Sequence, residues 1–130
     1  MSEADIVDSS GWLEYLADSK RAAFFAPAIA DTEHLIVPVI TVYEVFKKVI
    51  RERGENEALQ VASMMQGGQV IEADSAPALD AARYLLPLAD SLIYATAFRH
   101  GATLWTQDEH FKGLPGVRYL PKKPAGVGAR

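Results

Sequence analysis

Two acidic residues stand on either side of one apolar segment in the second half of the chain. Asp90 opens a stretch with the composition of a buried helix, and Asp108 follows the short β-branched segment after Gly101. Carboxylates at the ends of adjacent elements can hold a hard divalent cation, because oxygen ligands suit Mg²⁺ and Mn²⁺ better than zinc. This pair therefore indicates metal-assisted chemistry, provided that other acids reach the same place.

Two further acids occupy comparable positions earlier in the chain. Asp8 ends a predicted strand near the N-terminus, and Glu44 lies in the first turn of a predicted helix. In open α/β sheets, ligands bind beyond the carboxyl ends of the strands, where the following helices start. We therefore expect Asp8, Glu44, Asp90 and Asp108 to converge at one edge of a sheet. A divalent metal would relieve the repulsion among them.

These acids also have a simpler interpretation as helix caps. Thr41 and Glu44 fit the Thr-x-x-Glu capping box, in which the glutamate only bonds back to the cap. Asp90 fits an N-cap, and Asp108 fits the cap of a short turn that ends at Phe111. Taken singly, each acid favours the cap over the ligand by roughly two to one. Only the joint placement of the four favours a site.

The elements that must position these acids alternate between strands and helices. The predicted strands span residues 4–8, 34–37, 69–73, 102–106 and 117–120. The first predicted helix is capped by Ser9 or Ser10. The others span residues 20–30, 41–53, 56–66, 75–86 and 90–100. Pro27 is expected to kink or break the second, and Gly54 to end the third. This alternation predicts a three-layer α/β/α sandwich with a mostly parallel central sheet. We expect one domain over residues 1–121 and a flexible tail over 122–130.

Composition narrows the class of protein. The chain has 130 residues, 49% of them hydrophobic, and no cysteine, so disulfides and thiolate metal sites are excluded. Its 13 basic and 17 acidic residues give a net charge of −4 at pH 7, which argues against a simple DNA-coating role. No signal peptide and no run of roughly 20 apolar residues is present. We expect a cytoplasmic protein with no membrane partner.

Several charged residues lie close to the predicted acids in sequence. Lys47, Lys48, Arg51 and Arg53 follow Glu44, and the first three share roughly its side of the helix. They could guide phosphates towards a metal site, or they could form a solvated face with internal ion pairs, and the sequence leaves both open. Glu109 and His110 flank Asp108 as auxiliary groups. His110 is not included among the expected ligands.

Four segments resemble the motifs of PIN-domain ribonucleases, and together they span most of residues 4–120. They are DSSGWLEYL from Asp8, TVYEV from Thr41, LADSLIYATA from Leu88 and TQDEHF from Thr106. The size and single-domain layout are similar to those of VapC-type toxins from prokaryotic toxin–antitoxin modules.

The resemblance implies a Mg²⁺-dependent endoribonuclease, with Mn²⁺ as a substitute, that cleaves RNA. Asp8, Glu44, Asp90 and Asp108 would be its catalytic and metal-binding acids. Ser9 and Thr106 would support the metal site through their hydroxyl groups.

The resemblance also implies partner proteins: a cognate VapB-type antitoxin and a homodimer or toxin–antitoxin hetero-oligomer. The antitoxin would occupy an apolar groove, for which the candidate residues are Trp12, Leu16, Phe24 and Phe25. Leu16 and Phe24 fit the core of the protein equally well.

Two alternative functions are compatible with parts of the sequence. The segment 82–90 is short for the family, and a displaced Asp90 would leave a catalytically degenerate module that binds an antitoxin without cutting RNA. A phosphoacceptor receiver domain is also a small α/β protein with acids at strand ends. It would require a second acid beside Asp8 and a strand-end lysine, whereas Ser9 follows Asp8 and Lys112 lies in a turn.

Overall fold

Five parallel strands form the centre of the protein in the computed structural model, which describes residues 4–72, 79, 81–84 and 86–122. The strands are β1 Asp5–Val7, β2 Leu35–Pro38, β3 Gln69–Ile71, β4 Thr103–Thr106 and β5 Val117–Tyr119. Their order is β3-β2-β1-β4-β5, and every neighbouring pair is parallel. The order reverses between β1 and β4, which is where open α/β sheets form their ligand crevice. A receiver domain has the order 2-1-3-4-5, so the topology excludes that alternative.

Helices cover both faces of this sheet. They are α1 Ser9–Leu16, α2 Ala22–Ala30, α3 Val39–Arg53, α4 Glu55–Met65 and α5 Leu88–Arg99, with a 3₁₀ turn at Glu109–Phe111. Buried residues of α1 to α4 join one apolar cluster, and those of α5 and the 3₁₀ turn join a second. The sheet separates the two clusters, which confirms the predicted three-layer α/β/α sandwich with a parallel centre.

Strands β1 and β2 are apolar at successive positions because both of their faces are covered, whereas the edge strands β3 and β5 are partly exposed. In β1, Val7 belongs to the first cluster and Ile6 to the second. In β2, Leu35 and Val37 belong to the first cluster, and Ile36 between them belongs to the second. The alternation of side chains along β1 and β2 thus serves two cores.

Several helix starts, and the effect of Pro27 on α2, differ from the predictions. Asp8, and not Ser9 or Ser10, caps α1 by accepting a hydrogen bond from the backbone N–H of Gly11. Pro27 lies inside α2 without ending it, because the helix is held by buried residues on either side of the proline. Helix α3 begins before Thr41, which is buried in its first turn, so the capping box with Glu44 does not form.

Some predicted positions are wrong or fall outside the described residues. The apolar spacing of the predicted helices 56–66 and 90–100 places Leu59 and Phe98 on inward faces, but 52% and 70% of their surfaces are exposed. Of the predicted helix 75–86, residues 79, 81 and 82 are helical, residues 83 and 84 form a turn, and most of the remainder lies outside the described residues, as does most of the tail. No helix in the described part of the chain combines the length and hydropathy needed to cross a bilayer.

Candidate active site

The four predicted acids line a single cleft of about 280 Å³ at the carboxyl edge of β1 and β4. Asp8 directly follows β1, Asp108 follows β4, and Glu44 and Asp90 come from α3 and α5. The two strands are held together there by a backbone hydrogen bond of 3.2 Å from the N–H of Asp8 to the carbonyl of Trp105. The predicted convergence is therefore observed, and the catalytic roles of these acids stay predictions.

Asp8 is the most deeply placed of the four, with 2% of its surface exposed. Its carboxylate accepts hydrogen bonds from the hydroxyl of Thr106 at 2.6 Å, the hydroxyl of Ser10 at 2.9 Å and the N–H of Gly11 at 2.9 Å. Burial nevertheless raises the pKa of Asp8 to about 6, because desolvation outweighs these hydrogen bonds, which lower it. Asp8 is thus both a helix cap and a wall of the cleft.

Thr106 connects two of the acids. Its hydroxyl donates to Asp8 and accepts a hydrogen bond of 2.9 Å from the backbone N–H of Asp108. Asp108 in turn caps the 3₁₀ turn by accepting from the N–H of His110 at 3.0 Å. The cap interpretation of Asp108 is therefore confirmed, and the capping carboxylate still lines the cleft.

Glu44 and Asp90 are not caps. The hydroxyl of Ser9 donates to Glu44, which fits the supporting role predicted for Ser9. Asp90 lies in the first turn of α5, where Pro87 holds the N-cap position. Burial and the charge of Asp108 raise the pKa of Asp90.

The short segment before Asp90 does not displace it from the cleft. The hydroxyl of Ser91 donates to the carbonyl of Leu86 at 3.0 Å, and its N–H donates to the carbonyl of Pro87 at 2.8 Å. These bonds join the start of α5 to the preceding loop.

His110 is the functional candidate that sequence reasoning undervalued. Its Nδ1 lies 2.8 Å from Oδ2 of Asp90 and 3.1 Å from Oδ1 of Asp108, although 53% of its side chain is exposed. The charge of Asp108 and the hydrogen bond to Asp90 raise the pKa of His110. The available signal was its position two residues after a capping aspartate, which places its backbone beside the cleft.

A second set of polar residues holds the segment behind Asp108, and no sequence pattern predicts it. The guanidinium of Arg21 donates to the amide oxygen of Gln107 at 2.6 Å and to the carbonyl of Pro121 at 2.9 Å. Gln107 is buried and donates to Glu14 at 2.8 Å. These partners are 86 to 100 residues apart in sequence, which is why no local pattern predicts them.

The basic residues that follow Glu44 do not all serve the same role: one lines the cleft, and another pairs with an acid away from it. Lys48 lines the cleft beside the acids, in agreement with a phosphate contact, and its Nζ also lies 3.2 Å from Glu52. Arg53 pairs with Glu57 at 2.7 Å on the outer surface, in agreement with internal ion pairing.

The predicted groove residues are mostly core. Trp12 and Phe25 are 1% and 0% exposed, so their assignment to an open groove is wrong. Phe24 is partly buried and packs edge-on against Trp105 at 5.3 Å between ring centroids. Leu16 lines a groove between α1, α3 and α4.

The side chains of the cleft fit a divalent cation. The raised pKa values of Asp8 and Asp90 show that their ionised forms are disfavoured by burial and by neighbouring negative charge, and a cation would relieve both effects. Donor atoms of Asp90, Asp108 and His110 lie within 4.8 Å of one another, which is close enough for one ion.

The chain is similar to known proteins in both sequence pattern and fold. A model of the PIN domain matches residues 6–117. No curated protein is significantly similar to the chain. Among the solved structures that share the fold is a toxin–antitoxin complex from Klebsiella pneumoniae, with 24% sequence identity, a match over 93% of this chain and 100% of that chain, and a TM-score of 0.72. The sarcin–ricin loop-cleaving toxin VapC20 of Mycobacterium tuberculosis has 15% identity over 93% of this chain and 100% of that chain, with a TM-score of 0.70. A DNA-bound VapBC from Salmonella typhimurium has 15% identity over 91% of this chain and 97% of that chain, with a TM-score of 0.69.

Proposed function

Because the chain belongs to the PIN domain family, we propose that it is a Mg²⁺-dependent endoribonuclease and the toxin of a type II toxin–antitoxin system. The observation that carries the proposal is the convergence of four carboxylates, from four different elements, on one cleft. The likeness to solved toxins supports it through the shared fold. A cytoplasmic location is part of the proposal.

The proposed metal ligands are Asp90 and Asp108, with Asp8 and Glu44 completing the negative wall of the cleft. A bound Mg²⁺ or Mn²⁺ ion supplies positive charge that acidifies water and offsets the charge developing on the phosphate. Thr106 fixes Asp8 and the backbone of Asp108 relative to each other, and Ser9 fixes Glu44. These hydroxyls keep the carboxylates oriented before the substrate binds.

Lys48 is the proposed contact to the RNA backbone. It lies on the rim of the cleft in a protein whose net charge is −4, so phosphate binding depends on this local positive charge. The pairing of Lys48 with Glu52 keeps its ammonium group at that rim.

The decisive experiment compares cleavage of tRNA, ribosomal RNA and messenger RNA by the wild type and Asp90→Asn with Mn²⁺ or Mg²⁺. Asp90 is the suitable position because it caps no helix, so its amide variant should fold. We expect cleavage to fall at least about 100-fold, since a ligand carboxylate is lost. The matched control is Asp31→Asn, the same change at the opposite edge of the sheet, where Asp31 pairs with His34.

Full cleavage by a folded Asp90→Asn protein, free of contaminating nuclease, would reject the assignment. Absence of cleavage by the wild type on all three RNA classes, with intact metal binding, would favour the binding-only alternative.

The proposed antitoxin contact is the groove that Leu16 lines. Its apolar residues come from α1, α3 and α4: Leu13, Leu16, Ala17, Val49 and Val61. Lys48, which borders both this groove and the cleft, lies where a bound segment could pass from one to the other. Co-expression with the product of the adjacent gene, followed by mass measurement in solution, tests this and the proposed homodimer. A lone monomer that neither self-associates nor binds that product would contradict both.

A further inference from the structure

The ring nitrogen of His110 lies between two carboxylates that belong to different elements. Nδ1 is 2.8 Å from Asp90, which is carried by α5, and 3.1 Å from Asp108, which follows β4. One N–H can point at only one of these oxygens with good geometry. The ring nitrogen and one oxygen of each carboxylate therefore surround a space in which a positive ion could contact all three atoms.

The spacing of the donors fits a coordination sphere. Adjacent ligands of an octahedral ion with bonds of about 2.1 Å stand about 3.0 Å apart. The two nitrogen–oxygen distances at His110 fall on either side of this value, and all three donor atoms lie within 4.8 Å of one another. The ligands would need little rearrangement to close on an ion.

The backbone holds His110 in place. Its N–H donates to Asp108 at 3.0 Å, and the residue lies inside the 3₁₀ turn that ends at the fully buried Phe111. The N–H of Asp108 itself is bound by Thr106. The imidazole is thus attached to a segment whose backbone is fixed at both of its ends.

We propose that His110 is a nitrogen ligand of the cation held by Asp90 and Asp108, and that it makes the site prefer Mn²⁺ over Mg²⁺. The inference rests on the proposed function and refines it, since the site would bind Mn²⁺ more tightly than the Mg²⁺ named there. It departs from the oxygen-only ligand set that the four acids alone indicate. Mg²⁺ gains little from an imidazole ligand, whereas first-row transition ions bind nitrogen more readily.

Pulsed electron paramagnetic resonance on Mn²⁺-loaded protein tests the ligand directly, without any activity measurement. A directly bound imidazole couples its ¹⁴N nucleus to the manganese electron spin. We expect ¹⁴N modulation in the untagged wild type and its loss in His110→Gln. The matched control is His34→Gln, because His34 pairs with Asp31 at the opposite edge of the sheet and should leave the modulation unchanged.

Calorimetric titration then tests the preference between the ions. His110→Gln should weaken Mn²⁺ binding by about tenfold or more, since loss of even an outer-sphere partner costs about 10- to 100-fold. Mg²⁺ binding should change by less than about threefold, so the ratio of the two affinities should fall. Because 53% of the His110 side chain is exposed, the variant should fold, and circular dichroism in the absence of metal checks that unfolding does not cause the loss of Mn²⁺ binding.

Bound Mn²⁺ without ¹⁴N modulation in the wild type, or an unchanged affinity ratio in His110→Gln, would overturn the inference. Either result leaves the proposed nuclease intact, provided that Asp90→Asn still abolishes cleavage. A wild type that binds no divalent ion at all would overturn both the inference and the metal dependence of the proposed function.

Discussion

The hydroxyl of Thr106 donates a 2.6 Å hydrogen bond to the buried carboxylate of Asp8, 98 residues earlier in the chain. The same hydroxyl oxygen accepts from the N–H of Asp108, so one small side chain bonds to groups that follow two different strands. Because Asp8 is almost fully buried, its carboxylate cannot replace a lost partner with bulk water.

Removing this hydroxyl should cost both stability and activity. Thr106→Val preserves the shape of the side chain but leaves the N–H of Asp108 without its partner, and leaves Oδ2 of Asp8 with only the hydroxyl of Ser10 at 3.1 Å. We expect the free energy of unfolding to fall by about 2 kcal/mol, as for other unsatisfied buried groups. RNA cleavage should fall about tenfold or more because both acids lose their orientation. Urea unfolding and initial cleavage rates measure the two effects.

Thr106→Ser is the matched control, since it retains the hydroxyl and should stay close to the wild type in cleavage. A Thr106→Val protein with wild-type stability and activity would show that the hydrogen bond is not needed for either.

The pKa shifts at the site set the pH dependence of stability. The pKa values of Asp8, Asp90 and His110 are raised in the folded protein, so each binds more protons folded than unfolded between its two pKa values. The free energy of unfolding therefore falls as pH rises through those intervals, from 3.8 to about 6 for Asp8 and above 6.5 for His110. Glu14 has the opposite sign, but its interval lies below 4.5.

Metal-free protein should accordingly be more stable at pH 5 than at pH 7.5. Asp8 alone contributes about 1.4 kcal/mol to this difference, calculated from its shift by proton linkage. Urea unfolding in EDTA at the two pH values measures it, and Asp8→Asn should reduce the difference. Saturating Mn²⁺ should raise stability at pH 7.5, because the ion binds the ionised acids of the folded state. Equal or greater stability of the metal-free protein at pH 7.5 would contradict the prediction.

Gly11 allows α1 to approach the helix and strand beneath it. A Cβ at this position would lie 2.7 Å from a ring carbon of Phe25 and 2.7 Å from Cγ1 of Val7, both fully buried. Gly11→Ala should therefore lower the free energy of unfolding by about 1–3 kcal/mol from overpacking, partly offset by about 1 kcal/mol of helix propensity. Thermal and urea unfolding provide the measurement.

The double variant Gly11→Ala with Phe25→Leu supplies the control. If the ring is the obstacle, the second change should recover part of the loss, and the two effects should not add. An unaltered or raised stability in Gly11→Ala alone would show that α1 can move away without cost.

The fold was predictable from local patterns because β1 and β2 are apolar at successive positions and alternate with segments of helical apolar spacing. The convergence of the four acids followed from a single rule about the carboxyl edge of parallel strands. The exact caps were less accessible. Asp8 and Ser9 are adjacent, and both residue types suit an N-cap. In the structure Asp8 is the cap, and the hydroxyl of Ser9 donates to Glu44 instead.

Other features depend on contacts that sequence cannot show. The Arg21 and Gln107 pair joins residues 86 positions apart, and its geometry exists only after β4 and α2 are placed. Phe98 fits the apolar pattern of α5 but lies on its outer surface. His110 is exposed, which is usual for a histidine near a turn, yet its ring faces two acids that only the tertiary fold brings together.

Lys48 should contribute one ionic contact to RNA, because it is the basic residue among those that line the acidic cleft in the described part of the chain. In the cleavage-deficient Asp90→Asn background, Lys48→Gln should weaken RNA binding. It should also reduce the slope of log affinity against log salt concentration by about 0.7, the value for one phosphate contact to a single strand. Arg53→Gln is the matched control, since Arg53 pairs with Glu57 away from the cleft and should leave the slope unchanged. Fluorescence anisotropy across a salt series measures both, and equal slopes for the Lys48 variant and its parent would remove Lys48 from the RNA path.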